Sequence, residues 1–292
     1  MSGDAPGSAA GRLLTFIRFS HTLFALPFAL GALFVASGGW PGFRLFALVL
    51  AAMVAARTAA MAFNRLVDWE IDRRNPRTEG RHRLVTKPLA WVVCIGSAIA
   101  FVVVAAAINR TCLWLSPVAL FLIGFYSLTK RFTHTSHFFL GLALSASPAA
   151  AWIAATGRLD PAAFPLCLGV LLWVAGFDLI YATQDQAFDR QAGLHSIPVK
   201  LGAARSFRLA RLLHLLAFVG FCAFAPVAGL TRWYPVALVG MAVALAYEHR
   251  IVRGLDPAAP DTGRVNTAFF HSNAVVGALF ACGAILDSLT TP

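Results

Sequence analysis

The chain reads as an all-α membrane protein, and three features of the sequence predict it. Of its 292 residues 59% are hydrophobic and only 13% are charged, nine apolar stretches recur from end to end, and the Lys and Arg residues gather on alternate connections. A composition this apolar has too few polar side chains to cover a water-facing surface, so lipid is the expected solvent.

Taken in order, the predicted spans are Thr15–Ser37, Phe43–Phe63, Leu89–Ile108, Cys112–Leu128, Phe138–Ala155, Phe164–Ile180, Leu212–Leu230, Trp233–Tyr247 and Ala268–Ile285. Most approach the roughly 20 residues that cross the hydrocarbon core as a helix. Trp233–Tyr247 is the shortest and needs helix continuing into the interface to complete it. Residues 1–13, small and polar, are expected to form a flexible N-terminus. They lack the basic start and cleavage pattern of a secretory signal, so this segment should stay on the chain. Asp256–Gly263, rich in Pro and Asp, reads as the clearest loop. No linker or second domain is visible, which leaves residues 1–292 as one integral-membrane domain.

Orientation follows from the loop charges. Nineteen of the 24 Lys and Arg residues lie on one side, before or at the start of span one (Arg12 and Arg18) or after spans two, four, six and eight, four lie on the opposite connections, and Arg57 sits within span two. The excess places the N-terminus on the cytoplasmic side and the C-terminus outside, in what is expected to be a bacterial inner membrane. The net charge of +11 suits both anchorage to anionic lipid and attraction of anionic substrates. Nucleic acid is not an expected partner, because the basic residues are spread over short juxtamembrane loops. Five cysteines, scattered singly through apolar segments, have neither disulfide nor zinc spacing.

The 13 carboxylates are more informative, since seven of them (Asp68, Glu70, Asp72, Glu79, Asp178, Asp185 and Asp189) fall within two segments. A carboxylate at the edge of hydrocarbon is costly unless paired, hydrated or metal-bound. Asn64, Asp68 and Asp72 advance about 40° per step around a helix and make one stripe at the end of span two. Asp178, Asp185 and Asp189 make a similar stripe at the end of span six, with Tyr181 on the same side. Two such helix ends facing each other would hold divalent cations between them. Hard oxygen donors of this kind suit Mg²⁺ shared between carboxylates and substrate phosphates. Arg57, Arg65, Arg73, Arg74, Arg77, Arg81, Lys130 and Arg131 are placed to take remaining phosphate charge. The plainer reading is that these acids and bases pair with each other at the interface.

These residues carry a resemblance. The run Arg57-x6-Asn64-Arg65-Leu66-Val67-Asp68-Trp69-Glu70-Ile71-Asp72, followed by Asn75-Pro76-Arg77-Thr78, resembles the first aspartate-rich motif of the UbiA superfamily of intramembrane prenyltransferases. Tyr181-Ala182-Thr183-Gln184-Asp185-Gln186-Ala187-Phe188-Asp189-Arg190 resembles the second. Phe19 to Phe28, Tyr126 to Arg131 and Asn266 to Phe270 extend the similarity over almost the whole chain.

The resemblance implies nine transmembrane helices around a central cavity, two Mg²⁺ ions, and a polyprenyl diphosphate whose tail lies in an apolar tunnel open to lipid. Asn64, Asp68 and Asp72 would serve one metal, and Asp185 and Asp189 the other. Arg57, Lys130 and Tyr126 would touch the diphosphate. Two positions depart from the pattern: many members have Asp where this chain has Arg65, and Arg81 to Lys87 replaces a stretch usually close to R-P-L-P-x-G, so the usual geometry of that loop does not carry over.

The implied reaction ionises an allylic diphosphate and adds the allyl cation to the ring carbon beside the hydroxyl of an aromatic acid. Metal ions and cationic side chains stabilise the leaving group, and an apolar, aromatic-lined cavity excludes water. Asp178 is a candidate to orient the acceptor or assist proton loss, or else a buried acid bonded to a neighbouring helix. Arg18 and His21 are candidates for binding the acceptor carboxylate. The motif forms lean toward 4-hydroxybenzoate in ubiquinone or menaquinone biosynthesis, with 1,4-dihydroxy-6-naphthoate of menaquinone synthesis as the alternative acceptor. A membrane transporter with an intramembrane acidic site is the alternative of another class, although two interfacial acid stripes fit it poorly. A CDP-alcohol phosphotransferase needs Gly and Ala-Arg between its acids, which neither cluster has.

Overall fold

A computed structural model describes residues 8–17, 24–253, 255 and 261–290. Helices and turns are the only regular structure among the described residues. The helices are α1 (Ala9–Phe16), α2 (Leu26–Ser37), α3 (Phe43–Val67), α4 (Trp69–Arg74), α5 (Lys87–Ile108), α6 (Arg110–Thr129), α7 (Ser136–Thr156), α8 (Phe164–Ala182), α9 (Gln186–Gln191), α10 (Ile197–Leu201), α11 (Ala203–Val227), α12 (Tyr234–Val252), α13 (Thr262–Thr267) and α14 (Asn273–Thr290). A backbone in lipid must satisfy its polar groups within itself, and helices do so.

Eight segments among the described residues are helical, long and apolar enough to cross a membrane, and α2 is a ninth, shorter apolar helix of 12 residues. Of the expected first span, Thr15–Ser37, Thr15 and Phe16 close α1 and the helix α2 begins at Leu26; residues 18–23 lie outside the described part. The terminus expected to be flexible contains α1, capped by the Ser8 side chain on the Gly11 amide at 3.1 Å. The seventh span begins nine residues earlier than its apolar run, at Ala203, because Arg205, Arg208 and Arg211 ride on its first turns. Trp233–Tyr247 gains its missing length by running on to Val252, for 19 helical residues from Tyr234. Of the Asp256–Gly263 loop, Asp261 already caps α13, accepting from the Gly263 and Arg264 amides.

Packing closes a ring: α2 lies on α7, α7 on α8, α8 on α11, α11 on α12, α12 on α14, and α14 returns to α2. A second group, α3, α5 and α6, packs on itself and against α7. Aromatic side chains fill the ring's interior, with Phe28 4.9 Å from Trp173 and 4.6 Å from Phe280 between ring centroids. Small residues let the backbones approach: a Cβ on Gly220 of α11 would stand 3.0 Å from the Gly169 Cα of α8. Val92, Val103, Phe121, Val219 and Val239 point outward and are exposed, as lipid-facing positions should be.

The acidic residues occupy the places where long helices stop. Helix α3 ends at Val67, and Asp68 caps both α3 and α4. Hydrogen bonds from the Asp68 amide to Asn64 O (2.9 Å) and from the Asp72 amide to Asp68 O (2.7 Å) carry the helical register across the break, so the stripe survives. The second stripe is less regular than its spacing suggests, because a 3₁₀ turn, Thr183–Asp185, separates α8 from α9. A second 3₁₀ segment, Glu79–Arg83, occupies the loop after the first stripe.

Candidate active site

Both stripes open on one polar cavity of about 230 Å³. The first motif supplies Arg57, Asn64, Asp68 and Asp72 to its wall, the last turn of α6 Tyr126, the α6–α7 connection Lys130 and Arg131, and the second motif Asp178, Tyr181, Asp185 and Asp189. These candidates therefore converge, though they lie up to 132 positions apart in sequence, whereas Arg73 and Arg74 stay outside the lining and Arg73 pairs with Glu70 at the surface. Arg18 and His21 lie outside the described residues.

The acids are met by cations. Arg131 donates to Asp68 Oδ1 at 3.1 Å, and Asn64 donates to Asp68 Oδ2 at 3.3 Å. Arg81 reaches Asp72 Oδ1 at 2.9 Å, while Arg65 Nη1 lies 3.5 Å from Oδ2. Across the cavity Arg77 forks onto Asp185, its Nε donating to Oδ1 at 2.8 Å and its Nη2 to Oδ2. Asn75 adds a third bond to Asp185 at 3.1 Å, and Arg77 also donates to the Tyr181 hydroxyl at 2.8 Å. The loop between the two motifs thus grips both, with Arg81 on the first and Arg77 on the second.

Asp189 is different. It is 3% exposed, Lys130 Nζ stands 3.8 Å from its Oδ2, and that oxygen is buried without a hydrogen bond. Burial raises the Asp68 pKa above its ordinary value, with Arg131 opposing. Lys130 is also raised: burial alone would lower it, but Asp189, Asp178 and Asp185 outweigh that.

The donor set fits a hard divalent cation. Every candidate ligand offers oxygen, and Asp189 Oδ2, with Lys130 at 3.8 Å and no hydrogen bond, is a carboxylate oxygen open to a donor or an ion. Among the described residues no three acidic, His or Cys side chains close on a common point. Mg²⁺ is usually bound by one or two carboxylates together with waters and phosphates rather than by a protein cage.

An apolar cavity of about 270 Å³ adjoins the polar one, and the two share Arg57, Tyr126 and Leu144 in their linings. It lies among α3, α5, α6 and α7 and reaches Ile108, Cys112 and Ile153 at the opposite helix ends. Near the polar side, Phe269 packs its ring 5.2 Å from Phe24, 5.3 Å from Phe177 and 4.3 Å from Tyr181. A charged chamber opening onto an apolar one can hold a molecule with an anionic head and a hydrocarbon tail.

Comparison with known proteins decides the family. The model of the UbiA prenyltransferase family matches residues 25–274. The chain belongs to that family. It is 29% identical over 289 residues to the 4-hydroxybenzoate octaprenyltransferase of Nitrosomonas europaea, covering 97% of this chain and 95% of the relative. The corresponding protein of Acidovorax ebreus is 32% identical over 240 residues, 80% of this chain and 79% of its own. The apo structure of a UbiA homolog from Aeropyrum pernix K1 superposes with a TM-score of 0.82 at 30% identity, covering 92% of this chain and 98% of that one. A UbiA homolog from Archaeoglobus fulgidus, solved with GPP and Mg²⁺, shares the fold at a TM-score of 0.70 and 18% identity, over 94% and 99% of the two chains. The chain is therefore an integral-membrane prenyltransferase with the UbiA helical fold.

Sequence reasoning missed three features of the cavity. Asn75 and Arg77 were read with the first motif, and Arg77 as a base for phosphate charge, but no spacing rule connects them to an aspartate 108 positions from Arg77. Arg65, read as a departure from the motif and as one of the bases for phosphate charge, is 6% exposed and lies against Asp72 inside the acid cluster. His137, which bonds Asp178, stands at the start of an apolar span with no local signal to mark it.

Proposed function

We propose that this chain transfers a polyprenyl group from polyprenyl diphosphate to the ring carbon beside the hydroxyl of 4-hydroxybenzoate, in quinone biosynthesis, with its site facing the cytoplasm of a bacterial inner membrane. The observation that carries the reading is the junction of the charged and apolar cavities at Arg57 and Tyr126. The acceptor rests on relatives matched along nearly their whole length and named for that reaction.

Asn64, Asp68 and Asp72 would hold one Mg²⁺ and Asp185 and Asp189 the other. When bound, the ions neutralise charge developing on the leaving diphosphate. Arg77, Arg81 and Arg131, now on carboxylates, are placed to turn toward phosphate oxygens, and Arg57, Lys130 and Tyr126 reach the same group from the tunnel side. Guanidinium and ammonium groups fixed in a water-poor cavity stabilise that charge without having to reorganise. The rings of Phe24, Phe177, Tyr181 and Phe269 stand where an allyl cation would form and offer it π faces. Asp178 takes the ring proton, and Arg18 and His21 bind the acceptor carboxylate. Membrane lipid receives the emerging tail.

Purified protein in detergent or lipid, supplied with Mg²⁺ and geranyl diphosphate, should prenylate 4-hydroxybenzoate and not 1,4-dihydroxy-6-naphthoate. Asp68→Asn and Asp185→Asn should abolish the product. Turnover of the naphthoate alone would replace the acceptor, and product formation that survives both substitutions would overturn the site assignment.

A further inference from the structure

Asp178 is held from behind. We propose that His137 is a positioning residue for prenyl transfer, donating from Nδ1 to Asp178 Oδ2 and thereby presenting Oδ1 of that carboxylate to the acceptor ring. The inference rests on the proposed function and names the device that orients its proton acceptor.

His137 is the second residue of α7 and is 0% exposed. Its Nδ1 lies 2.6 Å from Asp178 Oδ2 on α8, and its Nε2 is buried with no hydrogen-bond partner. A neutral imidazole carries its proton on one nitrogen. Placed on Nε2, that proton would be an orphaned buried donor, and two lone pairs would face each other across 2.6 Å. Placed on Nδ1, it makes a short bond to an ionised carboxylate and leaves only an acceptor unpaired. The tautomer is thus fixed by the surroundings of the ring.

Asp178, whose side chain is 18% exposed, lines the polar cavity, and its neighbour Phe177 belongs to the aromatic wall. Engagement of Oδ2 stops rotation of the carboxylate, so Oδ1 is held toward whatever occupies the space beside those rings. In the step, the allylic C–O bond breaks with its electron pair leaving on diphosphate, and the ring carbon forms the new C–C bond. The hydrogen on that carbon then passes as a proton to Asp178 Oδ1, its bonding pair restoring aromaticity, and the resulting acid releases the proton to water after product leaves. A free carboxylate would lose this orientation and meet the ring proton less often.

Two measurements on the full-length protein test this. In ¹⁵N-histidine-labelled protein, His137 should appear as the Nδ1–H tautomer, with a resonance that shifts in Asp178→Asn; an Nε2–H tautomer would overturn the proposal whatever the acceptor. In turnover with ring-deuterated 4-hydroxybenzoate, His137→Leu should lower kcat roughly 10–10²-fold, leave KM for the prenyl diphosphate unchanged and unmask a primary isotope effect. His137→Asn, which keeps an N–H donor near the same position, should restore most of the rate. Equal losses in the Leu and Asn variants, without an isotope effect and in folded protein, would reduce His137 to packing. Wild-type protein that makes no product from 4-hydroxybenzoate would count against the acceptor and not against His137, whose tautomer is read independently.

Discussion

The two acid stripes carry the same residue type at the same spacing but are held in different ways. The first is the more open, with Asp68 and Asp72 side chains 25% and 14% exposed, and its cations come from three directions: Arg65 in α3, Arg81 in the following loop and Arg131 beyond α6. The second is nearly enclosed, with Asp185 and Asp189 side chains 10% and 4% exposed, and its partners Asn75, Arg77 and Lys130 all come from outside its own segment. One stripe carries much of its own neutralising charge; the other borrows it. Borrowed charge ties the two halves of the site together, because the loop that serves the first motif must sit correctly for the second to be paired.

The sharpest break in this comparison lies within the second stripe. Asp185→Asn and Asp189→Asn should each lower kcat by about 10²–10³-fold or more, as removal of a fixed charge-stabilising group does. Their stabilities without metal should diverge. Asp185→Asn leaves Arg77 without its bidentate partner and should cost about 1–3 kcal/mol, less than a fully buried pair because the Arg77 side chain is 27% exposed. Asp189→Asn removes an oxygen that accepts no hydrogen bond, but also the carboxylate 3.8 Å from Lys130, so thermal unfolding in detergent should come earlier by less than in Asp185→Asn. If both variants melt equally early, the contrast between the two aspartates is wrong.

Substituting the arginines of the bridging loop should give a smaller, graded effect. Arg77 uses two nitrogens on one carboxylate and a third on Tyr181, a pattern that an ammonium cannot reproduce. Arg81 places one nitrogen on Asp72 Oδ1 at 2.9 Å. Steady-state kinetics should therefore find Arg77→Lys impaired by about tenfold or more and Arg81→Lys by only a few-fold. Equal impairment would mean that the fork is incidental.

Much of the fold was legible because lipid imposes a simple rule: a span must be long and apolar, and eight of the nine marked stretches are observed as long helices. The exceptions have local causes. Lengths changed where charged residues ride on the ends of helices, as with Arg205 to Arg211 on α11, since hydropathy counts those residues out while the backbone keeps turning. The acids themselves were legible because they are rare and periodic. Their partners were not, since Arg77, Asn75 and His137 meet their aspartates through tertiary packing of residues 41 to 110 positions apart. Residue spacing reports which groups share a helix face and says nothing of which face lies opposite.

Arg65 tests how far the first stripe depends on charge that it carries itself. It is 6% exposed and extends Nε toward Phe16 O and Nη1 toward Asp72, each at 3.5 Å. Those separations are long, so the pair is weak as a hydrogen bond and acts mainly through charge. Arg65→Met should consequently slow turnover only about fivefold, equivalent to about 1 kcal/mol. Its larger signature should be in the metal requirement. A fixed cation beside Asp72 opposes a divalent ion on the same carboxylate, so the half-maximal Mg²⁺ concentration should fall in Arg65→Met and fall further in Arg65→Asp. A metal titration that gives the same midpoint for all three proteins would show that Arg65 serves to anchor α1 and leaves the charge of the first stripe untouched.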